Sequence, residues 1–204
     1  MTTTKLQFDE EHHRYTLNGQ VVPSVTSIID PLGNMDMMPA EIMERARVRG
    51  TAVHMVTEFW DVVEGDKKRE FGVWDVASEE GVEGYLGAYR EFKDTVKPEL
   101  IASEQRLYCA TYNFAGTLDR VFKVGDDIGI YDIKTGELSD LYRLQTAAYL
   151  FAYNENKNPW EEPATKRFLI QLRPNGRFSL LEHTDPRDLG AFVAALTLHN
   201  WRNG

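Results

Sequence analysis

Gly116-Thr117-Leu118-Asp119-Arg120-Val121-Phe122-Lys123-Val124-Gly125-Asp126-Asp127-Ile128-Gly129-Ile130-Tyr131-Asp132-Ile133-Lys134 is the stretch whose reading decides how this chain folds. Two runs rich in β-branched and aromatic residues, 116–124 and 128–134, flank a Gly-Asp-Asp turn signal, which predicts an antiparallel hairpin. Strand alternation places Ile128, Ile130, Asp132 and Lys134 on one face of the second run, and Tyr131 and Ile133 on the other. Two charges therefore end an otherwise apolar strand face, where burial is costly unless they are paired or bind an ion. The first run brings Asp119: a two-residue turn sets it opposite Asp132, and a three-residue turn sets it one position off. In either register two carboxylates come close and repel, and a hard divalent cation with oxygen ligands relieves that repulsion. Taken alone, the hairpin is equally compatible with a solvated ion pair of Asp119 with Arg120 or Lys134.

Working outward, residues 40–63 read as one long helix with Ile42, Ala46, Val53, Val56, Trp60 and Val63 at helical period, ended by Gly65-Asp66. A second helix is predicted over 79–96, stopped by Pro98, and a further strand over 104–112. Beyond the hairpin, 141–154 is helical, with Leu141, Leu144, Ala148 and Phe151 on one face. Strands at 168–172 and 178–181 flank Pro174-Asn175-Gly176, and 186–201 is a closing helix. At the start, Leu6-Gln7-Phe8, Tyr15-Thr16-Leu17 and Val21-Val22 are short β runs, the last two around Asn18-Gly19, a strong hairpin signal. Ser24 is placed to cap a short helix through Ile29, and residues 30–34 form a loop. This order predicts an α/β (α+β) domain with a mixed central sheet flanked by helices. It fills 1–204 as a single domain, with an N-terminal hairpin extension at about 5–30.

The chain has 204 residues, 42% hydrophobic and 27% charged, which excludes disorder and fibrous classes. One cysteine, Cys109, excludes a disulfide framework, a four-cysteine zinc site and a cysteine-ligated iron–sulfur cluster. No apolar run approaches the roughly 20 residues of a membrane helix, and Met1-Thr2-Thr3-Thr4 is no signal peptide, so a cytoplasmic location is expected. The net charge of −9 argues at first sight against a nucleic-acid partner.

Two helical segments bring chemistry toward the hairpin. Gly50, His54 and Glu58 follow one another at four-residue spacing, which suggests close approach at Gly50 and a metal-ligating His54 oriented by Glu58. Gln145 and Tyr149 are likewise four apart. The ordered set Gly50-Thr51-Ala52-Val53-His54, Gly116-Thr117-Leu118-Asp119-Arg120, Asp132-Ile133-Lys134-Thr135-Gly136 and Gln145-Thr146-Ala147-Ala148-Tyr149 resembles the PD-(D/E)XK nuclease superfamily. Within it, the set is most similar to the RecB-like, phage-type exonucleases without an iron–sulfur cluster. The Tyr15-Thr16-Leu17-Asn18-Gly19 and Val22-Pro23-Ser24-Val25-Thr26 segments look like phage-encoded members.

The resemblance implies a restriction-endonuclease-like fold and magnesium- or manganese-dependent hydrolysis of DNA, in phage or prophage recombination and repair within a bacterial cell. It implies Asp119, Asp132 and Lys134 as the catalytic set. His54, Asp119, Asp132 and the carbonyl of Ile133 would be metal ligands, with Glu104 supporting a second ion. Lys134 would orient or help deprotonate the attacking water, and Gln145 and Tyr149 would position the nucleic-acid strand or the Lys134 side chain. Among basic residues, Arg49, Arg120 and Arg143 are expected at phosphates, along with Arg45, Arg47 and Lys123. Tyr142, Tyr112 and Trp74 are candidates for base stacking. His12, His13, His183 and His199 have no supporting spacing. DNA is the implied partner, alongside a single-strand annealing or recombination protein, and an oligomer is compatible with this reading. A structure-specific endonuclease and a silent DNA- or partner-binding protein on the same fold remain open alternatives. On this reading part of the acidity belongs to a cation site. The global charge still implies weak, salt-sensitive binding away from the cleft.

Overall fold

The computed structural model describes residues 6–10, 12, 14–33 and 39–203. The Met1–Thr4 start, His13 and Asn34 lie outside the described residues. Strands β1 (Leu6–Asp9), β2 (Arg14–Leu17) and β3 (Gln20–Val22) form a small antiparallel sheet, with Leu17 paired to Gln20 across Asn18-Gly19 as the turn signal predicts. Ser24 then caps the short helix α1 (Val25–Ile29), its hydroxyl accepting from the Ser27 amide. An isolated parallel bridge from Ser24 to Ala115 ties this N-terminal unit to the main sheet.

Three helices follow: α2 (Ala40–Val63), α3 (Lys67–Glu79) and α4 (Glu83–Val96). The α3 helix is not in the sequence reading. Asp66, taken there only as a terminator, is also the cap of this helix, accepting from the Lys68 and Arg69 amides. The main sheet has the order β4 (Glu99–Cys109), β5 (Phe114–Val124), β6 (Asp127–Lys134), β7 (Lys166–Leu172) and β8 (Phe178–Glu182). Every neighbour is antiparallel except β6 and β7, which the intervening helix α5 (Tyr142–Asn156) joins in parallel. Helix α6 (Asp188–Asn203) closes the chain. The expected mixed sheet flanked by helices is therefore present, with two layers of core.

One core packs α2, α3 and α4 against Phe122, Tyr131, Ile133, Ile170 and Leu172. The other packs α1, α5 and α6 against Leu118, Val121, Ile128 and Ile130. The two faces of β6 thus divide between the cores as alternation requires, and Asp132 falls on the α5 side.

Three details shape the site. First, Val124 pairs with Asp127, so the turn holds two residues, Gly125-Asp126. Gly125 supplies the positive φ (+61) that such a turn needs at its first position. Second, the β5–β6 ladder stops at Arg120–Tyr131, although β5 remains paired with β4 to Phe114 and β6 with β7 to Lys134. The two strands part where Asp119 and Asp132 stand. Third, Leu107 and Cys109 share a core with Ala102, which strict alternation along β4 forbids. The parity changes at Glu104, which holds the left-handed φ of +46.

Candidate active site

The parting of β5 and β6 leaves a backbone amide without a ladder partner, and a side chain takes it. Asp119 Oδ2 accepts the Ile133 N–H at 2.6 Å, which fixes one oxygen of a nearly buried carboxylate. Its other oxygen, Oδ1, lies 3.7 Å from His54 Nδ1. The same imidazole nitrogen lies 3.4 Å from Glu104 Oε1. His54, Glu104 and Asp119 each offer a ligand atom within 4.8 Å of the others. One comes from α2 and two from facing strands.

The imidazole is oriented by Glu104 and Asp119, not by Glu58, which makes no hydrogen bond or ion pair among the described residues. Gly50 also departs from expectation: a Cβ there meets nothing within 4 Å, so no neighbour demands a glycine. Burial disfavours the His54 cation, but the Asp119 and Glu104 carboxylates outweigh it and raise its pKa to about 9. Metal-free, His54 is therefore an imidazolium at neutral pH, and a cation must displace that proton to use the nitrogen.

Asp132 sits beside this group, fully buried. Lys134 Nζ lies 2.6 Å from its Oδ2 as a close ion pair, while Oδ1 is buried without a hydrogen-bond partner. Burial raises its pKa to about 6, with Asp119 pushing the same way and Lys134 opposing. A buried carboxylate with open lone pairs, next to an imidazole and two more carboxylates, is a donor set that suits a hard divalent cation. Burial works against the Lys134 charge, but Asp132 and Asp119 prevail and its pKa is raised. The ammonium also lies 4.7 Å above the Tyr142 ring, which holds it in place from the far side.

Helix α5 covers the site with polar groups. Its apolar stripe was expected at Leu141, Leu144, Ala148 and Phe151, but Leu144 and Phe151 are only partly buried, whereas Gln145, Thr146 and Tyr149 are enclosed. Thr146 meets His183 Nδ1 at 3.0 Å, and Tyr149 lies near the Asp132 and Asp119 carboxylates. Burial raises the Tyr149 hydroxyl well above its usual range; the Gln145 amide opposes this and Asp132 and Asp119 add to it. The ring lies on Gly116, where a Cβ would come within 2.6 Å of it. Gln145 and Tyr149 are buried, which leaves them little free surface for contact with a strand.

The basic residues divide. Arg49 lies beside the end of β6, its Nε 3.4 Å from Thr135 Oγ1 and its guanidinium over Tyr85. Arg120, expected at a phosphate, has no exposed surface and is spent internally on Asp61, Glu104 and Thr57. Arg143 is held by Asp185 and Asp188, while Arg45, Arg47 and Lys123 pair with Glu41, Glu44 and Glu162. Trp74 packs edge-on to Trp60 and Tyr112 against Phe151, so neither is a free stacking platform.

Sequence reading missed the buried cluster of Asp61, Tyr89, Lys93 and Arg120 behind the site. Its signal was present: Asp61 falls on the stripe of Val53, Val56, Thr57 and Trp60, where a charge requires a partner.

A family model described as the PD-(D/E)XK nuclease superfamily matches residues 34–197. Comparison with curated proteins finds no match. Among solved structures, the chain is similar to that of SSO0001, at 16% identity over 75% of each chain with a TM-score of 0.36. It is also similar to an alkaline exonuclease from Laribacter hongkongensis, at 12% identity over 72% of this chain and 89% of that one, with a TM-score of 0.37. The family match runs from α2 into α6, and thus covers the whole mixed sheet and the Asp132–Lys134 strand end. The chain belongs to the PD-(D/E)XK nuclease superfamily and has its restriction-endonuclease-like fold.

Proposed function

We propose that this protein is a magnesium- or manganese-dependent DNA exonuclease. One observation carries the reading: His54, Glu104 and Asp119 converge within 4.8 Å, beside a buried Asp132 that pairs through one oxygen with the Lys134 ammonium at 2.6 Å and has no hydrogen bond on the other. His54, Asp119 and Asp132 would hold the ion with the Ile133 carbonyl, and Glu104 joins them as a full member of the group. A divalent cation so held supplies Lewis acidity toward a phosphate oxygen and a lowered pKa for water.

The chain's own groups do the rest. Held protonated between Asp132 and Asp119, Lys134 acts as a donor: it orients the attacking water and offsets charge developing on the phosphoryl oxygens. Tyr142 keeps its ammonium aimed, and the Asp119–Ile133 bond keeps the two strand ends in register. Arg49, beside Thr135 at the end of β6 and in no ion pair among the described residues, is the basic residue best placed to meet a phosphate. The preference for ends, the bacterial cytosolic setting, the phage-type recombination role with an annealing partner and the single-domain span of 1–204 rest on the ordered motif set. No described helix is long and apolar enough to cross a membrane.

The test uses end-labelled linear duplex, single-stranded and covalently closed circular DNA with magnesium or manganese, wild type against Lys134→Ala. The expected result is metal-stimulated degradation of linear DNA, lost in Lys134→Ala, with circular DNA intact. Cutting of circular DNA makes the protein an endonuclease. DNA binding without cleavage, unaffected by Lys134→Ala, makes it a silent nuclease-fold binder.

A further inference from the structure

Glu104 is an unfavourable place in a β-strand. Its φ of +46 is costly for a residue with a Cβ, and the flanking Ser103 Oγ and Gln105 Oε1 are buried without hydrogen-bond partners. Something must hold this kink, because a relaxed β4 would turn the Glu104 carboxylate away from His54. The restraint is visible one strand over. Arg120, on β5 and wholly buried, donates from one terminal nitrogen to Glu104 Oε1 at 2.8 Å and to the Asp119 carbonyl at 2.7 Å. Its other terminal nitrogen donates to Thr57 Oγ1 at 3.2 Å. Its Nε donates to Asp61 Oδ2 at 2.6 Å, and Asp61 is itself held by Tyr89 and Lys93.

The guanidinium thus bridges two rigid bodies. One end is locked to helices α2 and α4 through Asp61, and the other reaches the carboxylate of Glu104 and the backbone of Asp119. A lysine carries the same charge but cannot make these directed contacts in several directions. The side chains of Arg120 and Asp61 have no solvent-exposed surface.

We propose that Arg120, anchored by Asp61, is a positioning residue that sets the cation affinity of the His54–Glu104–Asp119 group by fixing the Glu104 carboxylate and the Asp119 backbone. The inference rests on the metal-dependent reading above, and it concerns binding rather than turnover. Partners of this kind behind metal ligands typically change affinity by about 10–100-fold when removed.

The test is Mn2+ titration of the full chain by electron paramagnetic resonance at 10 °C, with folding checked by circular dichroism at the same temperature. Arg120→Lys is expected to weaken Mn2+ binding about tenfold or more. Asp61→Asn, which leaves the arginine but loosens its anchor, is expected to weaken it several-fold, and it decides the question if Arg120→Lys does not fold. A merely structural role lowers the melting temperature and leaves the affinity of the folded protein unchanged. Wild-type affinity in a folded Arg120→Lys, or in Asp61→Asn where the lysine variant does not fold, overturns the inference and leaves the metal reading standing. No Mn2+ uptake by the wild type overturns the metal reading itself.

Discussion

Asp61 and Asp132 are equally hidden from solvent and are held in opposite ways. Asp61 accepts from Arg120, Tyr89 and Lys93, so both its oxygens are matched by donors. Asp132 has only the Lys134 ammonium, against its Oδ2, and its Oδ1 is buried without a hydrogen-bond partner. Burying an ion without completing its contacts costs stability, and a fold retains such a group where a ligand completes it. The first aspartate is part of the frame, and the second is part of the opening that the frame surrounds.

Exchanging each for its amide should separate them most clearly. Asp132→Asn is expected to reduce DNA hydrolysis by about 10³-fold while the melting temperature holds or rises. Asp61→Asn is expected to cost about 3 kcal/mol in chemical denaturation, because Arg120 and Lys93 lose their fully buried counter-charge and keep only the partly exposed Glu104 and Glu64. Equal destabilisation by both variants, measured side by side, would erase the distinction between frame and opening.

A pH experiment sharpens it. The Asp132 carboxyl ionises near 6 in the fold against 3.8 ordinarily, so the folded chain holds more protons between those values, and its stability falls as pH rises through them. His54 acts in the same sense: its contribution is complete below 6.5 and is lost as pH rises through about 9. Both changes favour cation binding at higher pH. The rise in melting temperature caused by Mn2+ is therefore expected to be larger at pH 8 than at pH 5, and smaller in Asp132→Asn. An equal rise at both pH values would count against the assigned ligands.

The smallest expected effect is at Gly50. With open space around it in α2, Gly50→Ala is expected to stabilise the protein by about 0.5–1 kcal/mol. Unfolding curves measure that gain. A simultaneous rise in KM for DNA would show that substrate uses the space.

The hairpin was the most legible part of the sequence, since Gly125-Asp126 and the alternation of 128–134 are local signals. The α3 helix was hidden because Gly65-Asp66 reads as an ending, and the capping role of Asp66 shows only once the next turn is considered. At the site, His54, Asp119, Asp132 and Lys134 could be named from order and spacing. Glu104 stood out less, because its reach depends on a backbone kink that no local residue announces. Arg120 was placed at a phosphate because an arginine on a strand is ordinarily exposed. Its burial is decided by Asp61, 59 positions away. The polar face of α5 was obscured similarly: Gln145 and Tyr149 look like a helix edge until the charged strand ends beneath them are known.

The parallel pairing of β6 with β7 has a consequence for the order of folding. A two-residue turn lets β6 meet β5 at once, but its other edge waits until α5 and the loop after it have been placed. In the interval Ile128, Ile130, Tyr131 and Ile133 lie on an open strand edge, the kind of surface on which chains aggregate. Asp132 and Lys134 interrupt that edge with charge, as gatekeeper residues do. The groups assigned here to chemistry thus also protect the half-folded chain, so neutralising both is expected to lower the yield of soluble protein even where the finished fold tolerates the change.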